Sequence, residues 1–298
     1  MPNPPVLANP NPPEELSVTL PYRLCAIDLD DTLLGPDHRL SARNARAIAA
    51  IVGKGVKVVI ASGRMFASTL PTARQLDLDT PIVCYNGAMV KHPRTGKVWL
   101  EASVPADTSS QIMDYCLANS LQLNFYWNDL LYSEKYTPWL QLYHNRTSSP
   151  LEIRPDFYTA MRGIAPTKMI IVDDPHKIDD MLPRMRERFA GVLNVTKSNA
   201  EYLEFLPHDA DKGVALACVA KHYGISAAQT IAFGDSWNDL PMLAWAGLGV
   251  AVGNAKPEVL AAADRVVLAS AEDGVGIALE DIYDVAGQTE EINGAETT

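Results

Sequence analysis

The chain is short of several things. Of its 298 residues only four are cysteines, Cys25, Cys84, Cys116 and Cys218. No two form a CxxC pair, which argues against a zinc site. Four scattered thiols in a chain this long fit a reduced, cytoplasmic setting better than a disulfide framework. Aromatic residues make up 7% and charged residues 20%, against 47% hydrophobic, a balance that suits a packed core and excludes disorder. Positive charge is scarce: 25 Lys and Arg against 36 Asp and Glu leave a net charge of −11. That excess opposes nucleic acid or an anionic membrane as partner. It leaves room for a small anionic substrate, because a local site can oppose the global charge. No apolar run is long enough to span a bilayer; the uncharged stretch near Pro241–Lys256 is broken by Gly247, Gly249, Gly253 and Asn254. The first 22 residues hold no Lys or Arg and no continuous apolar stretch, unlike a secretory signal.

Proline is abundant in one place. Residues 1–21 contain seven of the 21 prolines, which predicts a flexible arm, and the polar stretch 287–298 predicts a flexible tail. Between them, apolar runs alternate with amphipathic stretches. Arg23–Leu29, Val56–Ala61 and Pro81–Cys84 read as strands, and Ser41–Gly53 as a helix with Ser41 as N-cap. The same alternation returns late: helices over Asp211–Gly224, Trp237–Gly247, Pro257–Ala263 and Gly274–Tyr283, strands over Thr230–Phe233, Gly249–Val252 and Arg265–Leu268. This grammar predicts a Rossmann-like parallel sheet of the α/β class. The middle differs. Strands are predicted over Lys97–Val104, Leu121–Trp127, Leu130–Lys135, Lys168–Val172, Val192–Lys197 and Tyr202–Leu206, with helices near Asp107–Ala118 and His176–Phe189. Asn128-Asp129 predicts a hairpin turn. We therefore expect a core from 22–87 and 201–286, with an α+β cap domain at 88–200 inserted into it.

Four short motifs carry chemistry, and each follows a strand or opens a helix. In Asp28-Leu29-Asp30-Asp31-Thr32, carboxylates at i and i+2 past a strand end can converge on one reaction centre, as nucleophile and acid/base or as hard oxygen ligands for Mg²⁺. Ser62-Gly63-Arg64 offers a hydroxyl and backbone N–H groups suited to phosphate. Asp211-Lys212-Gly213 brings a point charge. Gly234-Asp235-Ser236-Trp237-Asn238-Asp239 sets carboxylates at a strand end and in the next helical turn. Taken singly, each also fits an ordinary turn or helix cap.

The four together, in this order, resemble the haloacid dehalogenase superfamily of phosphatases. Asn86-Gly87-Ala88 with the insertion after it looks like the Cof-type subgroup, over about residues 22–285. The resemblance implies that Asp28 is the nucleophile that becomes phosphorylated and that Asp30 is the general acid and base. It implies Mg²⁺ at Asp28, the Asp30 backbone carbonyl and Asp235, with Asp239 supporting the metal. Ser62, Gly63, Lys212 and Asn238 would bind the phosphoryl group. Asp31 departs from the subgroup, which mostly has Gly there; a backbone N–H is retained. Expected substrate contacts are Asn86, Gly87, Tyr126 and Asn128, with Trp127, Glu134 and Lys168 as further cap candidates. Glu201 and Glu204 read as ordinary strand and surface charges, His144 and His176 as surface residues, and Trp237 and Trp245 as packing residues. The implied activity is Mg²⁺-dependent hydrolysis of small phosphorylated metabolites, sugar phosphates or phosphorylated cofactors, by a monomer or homodimer. The alternatives are a phosphotransferase or mutase on the same core, and a catalytically silent binding protein. The intact Asp28/Asp30 pair argues against the last.

Overall fold

A computed structural model describes residues 20–285; the expected arm over 1–21, save its last two residues, and the tail over 287–298 lie outside the described residues. In chain order the elements are β1 (Leu24–Ile27), α1 (Ala42–Gly53), β2 (Lys57–Ile60), α2 (Phe66–Gln75), β3 (Ile82–Cys84), β4 (Met89–Lys91) and β5 (Val98–Glu101). There follow α3 (Ala106–Ala118), β6 (Gln122–Trp127), β7 (Leu130–Ser133), α4 (Pro138–Thr147), β8 (Leu151–Ile153), α5 (Phe157–Ala160), β9 (Lys168–Val172), α6 (Pro175–Arg188), β10 (Leu193–Lys197) and β11 (Tyr202–Pro207). The chain closes with α7 (Lys212–Tyr223), β12 (Thr230–Gly234), α8 (Leu240–Trp245), β13 (Leu248–Ala251), α9 (Pro257–Ala262), β14 (Arg265–Val266) and α10 (Gly274–Tyr283).

The core sheet is parallel throughout, in the order β14-β13-β12-β1-β2. Its central strands β1 and β12 are buried on both faces, so they read as continuous apolar runs. On β1, Cys25 and Ile27 pack with Ile48 of α1 and Leu279 of α10, while Leu24 and Ala26 pack with Leu216 and Val219 of α7. Helix α1 buries Asn44, Ala47, Ile48 and Ile51, the stripe that helical periodicity dictates, and Ser41 caps it by accepting from the Asn44 N–H. Strands β1 and β12 sit side by side although about two hundred residues apart, because the chain leaves the sheet and returns. Their carboxyl ends mark the point where the connections diverge, which is where open α/β sheets bind ligands.

The expected boundaries shift at both ends of the insertion. Strands β4 and β5 do not join the cap: they continue antiparallel from β3 and pack Val90, Trp99 and Leu100 against α7. The expected third parallel strand meets β2 only through the Ala61–Val83 bridge. At the far end β11 pairs with β9 and β10, so 202–207 belongs to the cap sheet, ordered β10-β11-β9-β6-β7-β8. Helices α3 and α6 cover one face of that sheet. Helix α4, absent from the expected elements, covers part of the other. Its signal was Thr137 as N-cap followed by Pro138, a pairing that favours a helix start.

Asp129, the Tyr85–Tyr126 ring pair and Lys168 tie the cap to the core. The hairpin residues Asn128 and Asp129 both have positive φ, as a tight turn between β6 and β7 requires. Asp129 Oδ1 accepts from the Phe66 N–H at 3.0 Å and the Tyr85 hydroxyl at 2.9 Å. The Tyr85 and Tyr126 rings meet edge to face, centroids 5.7 Å apart. Lys168 Nζ donates to the Gly63 carbonyl at 3.2 Å. Cys25, Cys84 and Cys116 are buried and Cys218 half-buried, all four as free thiols. Among the described residues no helix is long and apolar enough to cross a membrane.

Asn44 ties the loop after β1 to its surroundings. Its Nδ2 donates to the Leu33 carbonyl at 2.9 Å and its Oδ1 accepts from the Gly276 N–H at 2.8 Å, all buried. Asn44→Ala leaves both groups unpaired and is expected to cost about 2–6 kcal/mol, at 1–3 kcal/mol per unsatisfied group, read as a lowered urea midpoint.

Candidate active site

The site begins where β1 ends. Asp28 N–H still donates to the Phe233 carbonyl of β12, which fixes the backbone at the strand end. Beyond it the chain turns sharply, with the Leu33 N–H bonding to the Asp28 carbonyl and the Leu34 N–H to that of Leu29. Asp31 sits in this turn at φ 56°, the left-handed region that glycine enters freely and that Asp tolerates better than most residues. The turn thus accommodates Asp where Gly is expected.

Asp28, Asp235 and Asp239 each offer a carboxylate oxygen within 4.8 Å of the other two, all buried. Lys212, fully buried, donates at 2.6 Å to both Asp28 Oδ1 and Asp239 Oδ1. Asp239 Oδ2 accepts from the N–H groups of Asp235 and Ser236 at 3.0 Å each, so this carboxylate caps the turn after β12 and shapes it. Thr32 Oγ1 donates to Asp235 Oδ1 at 3.0 Å. Burial, then the charges of Asp239 and Asp235, push the Asp28 carboxyl well above its usual range against the pull of Lys212. Burial and Asp239 raise Asp235 to about 6. Burial works against the Lys212 charge, and Asp239 and Asp28 more than reverse that, holding its ammonium protonated. Three carboxylates against one ammonium leave excess negative charge. Hard oxygen donors under that strain fit a divalent cation such as Mg²⁺, with Asp28 and Asp235 free to face it.

Asp30 points elsewhere. Its carboxylate is gripped by Arg64, with Nε at 2.7 Å and Nη2 on the other oxygen, and His38 Nδ1 stands 3.6 Å away. The bidentate pair fixes the carboxylate at the mouth of the site, outside the Asp28 cluster. Ser62 is buried, its Oγ accepting from the Arg64 N–H. Gly63 is dictated by space: a Cβ there would stand 2.7 Å from Asn86 Oδ1. Asn86 in turn accepts from Asn238 Nδ2 at 2.9 Å, joining two of the sequence motifs.

Cap and core enclose a cavity of about 300 Å³ lined by Asp28, Asp30, Gly63, Asn86, Asp235 and Asn238 from the core. Of the expected substrate contacts, Asn86 lines it. Gly87 does not. It has φ +98°, and a Cβ would fall 2.1 Å from the Asp211 carbonyl, so this glycine serves the packing of the loop against α7. Tyr126 is buried behind the cavity, its hydroxyl 2.5 Å from that of Tyr143, and Asn128 is exposed in the hairpin turn. Lys168 lines the cavity; Trp127 and Glu134 do not. The sequence reading missed Tyr143 and Thr147, which lie on the unexpected α4, and gave Arg64 no role although it adjoins Ser62. Trp237, expected to pack, is 49% exposed at the rim, with Lys256 over its ring. Glu204, read as an ordinary charge, is buried and lines the cavity.

A buried carboxylate-lysine cluster at a sheet switch point beneath a capped cavity is the arrangement of a hydrolase acting on an anionic group. Residues 25–279 match the family of haloacid dehalogenase-like hydrolases, and the chain belongs to it. The solved structure of a HAD subclass IIB sugar phosphatase shares the fold, with a TM-score of 0.74 at 22% identity, covering 87% of this chain and 98% of that one. It is 30% identical over 275 residues to a Bacillus subtilis protein, YxeH, spanning 88% of this chain and 98% of that one. It is 30% identical over 279 residues to the 5-amino-6-(5-phospho-D-ribitylamino)uracil phosphatase YitU of Bacillus subtilis, spanning 89% of this chain and 98% of the relative. The crystal structure of a haloacid dehalogenase-like hydrolase from Bacteroides thetaiotaomicron superposes with a TM-score of 0.82 at 30% identity, covering 88% of this chain and all of that one.

Lys212→Met removes the ammonium bonded to Asp28 and Asp239 inside the carboxylate cluster. It is expected to lower kcat/KM for phosphate release by about 100-fold or more, in line with other preorganised charge stabilisers, in a steady-state assay.

Proposed function

We propose that the protein is a Mg²⁺-dependent phosphatase of small phosphorylated metabolites, working through phosphorylated Asp28. The observation that carries this reading is the buried Asp28-Lys212-Asp239 contact, with Asp235 alongside, at the floor of a capped cavity. The YitU relative is named for a small phosphorylated ribitylamino compound, the substrate class this reading assigns.

Asp28 and Asp235 would hold Mg²⁺, which supplies positive charge to the phosphoryl oxygens when bound. Lys212 pulls against the burial and the neighbouring carboxylates that favour a protonated Asp28, and it orients the Asp28 carboxyl. Asp28 forms a bond to phosphorus as the bond from phosphorus to the leaving oxygen breaks, and Asp30 gives that oxygen its proton. Asp30 then takes a proton from the water that attacks phosphorus, and the Asp28–phosphorus bond breaks. Arg64 keeps Asp30 within the mouth of the site between these steps. Ser62, the Gly63 backbone, Lys212 and Asn238 bind the phosphoryl oxygens. Splitting one hydrolysis into two transfers to positioned groups is what makes it fast. Closure of the cap over bound substrate would exclude bulk water. Free thiols and the acidic balance support a cytoplasmic setting, with no nucleic-acid or membrane partner, as monomer or homodimer.

Wild type is expected to release inorganic phosphate from a panel of phosphorylated metabolites, to stop with EDTA and to recover with Mg²⁺. Asp28→Asn is expected to release none. Equal release by the variant, or release indifferent to EDTA, would contradict the mechanism.

A further inference from the structure

Register decides which cap residues face the core. Lys168 of β9 stands opposite Tyr126 of β6, and Glu204 of β11 opposite Ile170 of β9. Side chains alternate along a strand, so Lys168, Ile170, Tyr202 and Glu204 share one face. Lys168, Tyr202 and Glu204 line the cavity. Glu204 is 4% exposed. Ser198 Oγ donates to its Oε1 at 2.5 Å. Its Oε2 is buried, lies 3.5 Å from Lys168 Nζ and accepts no hydrogen bond among the described residues. Lys168 donates instead to the Gly63 carbonyl, so this ion pair abuts the loop assigned to the phosphoryl group.

A buried carboxylate oxygen without a donor is costly and calls for an explanation. The phosphoryl group cannot supply one, since it is itself an anionic acceptor. A hydroxyl or N–H on the rest of the substrate can. Lys168 offsets the charge of Glu204 when the cavity is empty, and Ser198 fixes the direction of the free oxygen. Resting on the phosphatase reading above, we propose that Glu204 is a specificity-determining residue. Its Oε2 accepts a hydrogen bond from a hydroxyl or N–H of the leaving group, held in place by Ser198 and Lys168. A site built to pair with such a donor rejects the analogue that lacks it, because its own polar group is then left unpaired.

The test compares kcat/KM on glucose 6-phosphate and ribose 5-phosphate with kcat/KM on p-nitrophenyl phosphate, whose leaving group carries no donor. Glu204→Ala is expected to lower the ratio of sugar phosphate to p-nitrophenyl phosphate by about 10-fold or more, mainly through KM. Glu204→Gln, which keeps the shape and a neutral acceptor, is expected to lower it less. An unchanged ratio, with both activities falling together, would make the ion pair a structural latch and overturn the proposal. So would a wild type that hydrolyses p-nitrophenyl phosphate but neither sugar phosphate. A wild type that hydrolyses none of the three would instead strike the phosphatase reading. Should Glu204→Ala lose its thermal transition, Ser198→Ala decides: it leaves Glu204 in place, and a ratio that does not fall overturns the proposal.

Discussion

Lys212 is the point on which the site depends. Its ammonium is buried, with Asp28 from the end of β1 on one side and Asp239 from the turn after β12 on the other. Three segments distant in sequence therefore meet at one nitrogen. A buried charge is tolerated only when paired and hydrogen-bonded, and removing one partner of such a pair typically costs about 3–5 kcal/mol. The arrangement is thus a structural commitment as well as a chemical one. Helix α7 must start where it does, Gly87 must have no side chain so that the neighbouring loop can approach Asp211, and β1 and β12 must end level. The crowding of carboxylates that remains suits the cluster to the cation that the proposed function calls for.

The second constraint is the separation of duties between two carboxylates two residues apart. Asp28 faces inward to Lys212, while Asp30 is turned outward to Arg64. The sharp turn after β1, with Asp31 at positive φ and Asn44 bonded beneath it, sends the two side chains apart. One carboxylate is buried among charges, and the other stays at the mouth of the cavity. The cap completes the enclosure through few polar contacts, Asp129 on the core and Lys168 on Gly63. A clasp of that kind can open for exchange without disturbing the carboxylate cluster.

Much of this was legible in the residues. The four motifs follow strands or open helices, and such positions collect at one sheet edge, so Asp28, Lys212, Asp235 and Asp239 could be named and are found together. The helix over Ser41–Gly53 and the hairpin at Asn128-Asp129 follow from local signals, a cap and a turn pair. What was not legible depends on pairing between distant strands. Nothing local says that β11 joins β9 rather than the core, and that pairing alone turns Glu204 from an exposed charge into a buried one facing the cavity. Tyr126 looked available because aromatic strand residues can face either way; its hydroxyl is taken by Tyr143 on α4, a helix the alternation pattern did not suggest. Arg64 adjoins a recognised motif, but its partner lies 34 residues earlier and only the fold brings them together.

The most direct measurement is chemical trapping of the covalent species. Borohydride added during turnover reduces an acyl phosphate, and mass spectrometry of the Leu24–Arg39 tryptic peptide then locates it. The account predicts conversion of Asp28 to homoserine in wild type with substrate and Mg²⁺, and none without substrate. Steady turnover with Asp28 unmodified, or the modification at another carboxylate, would contradict it.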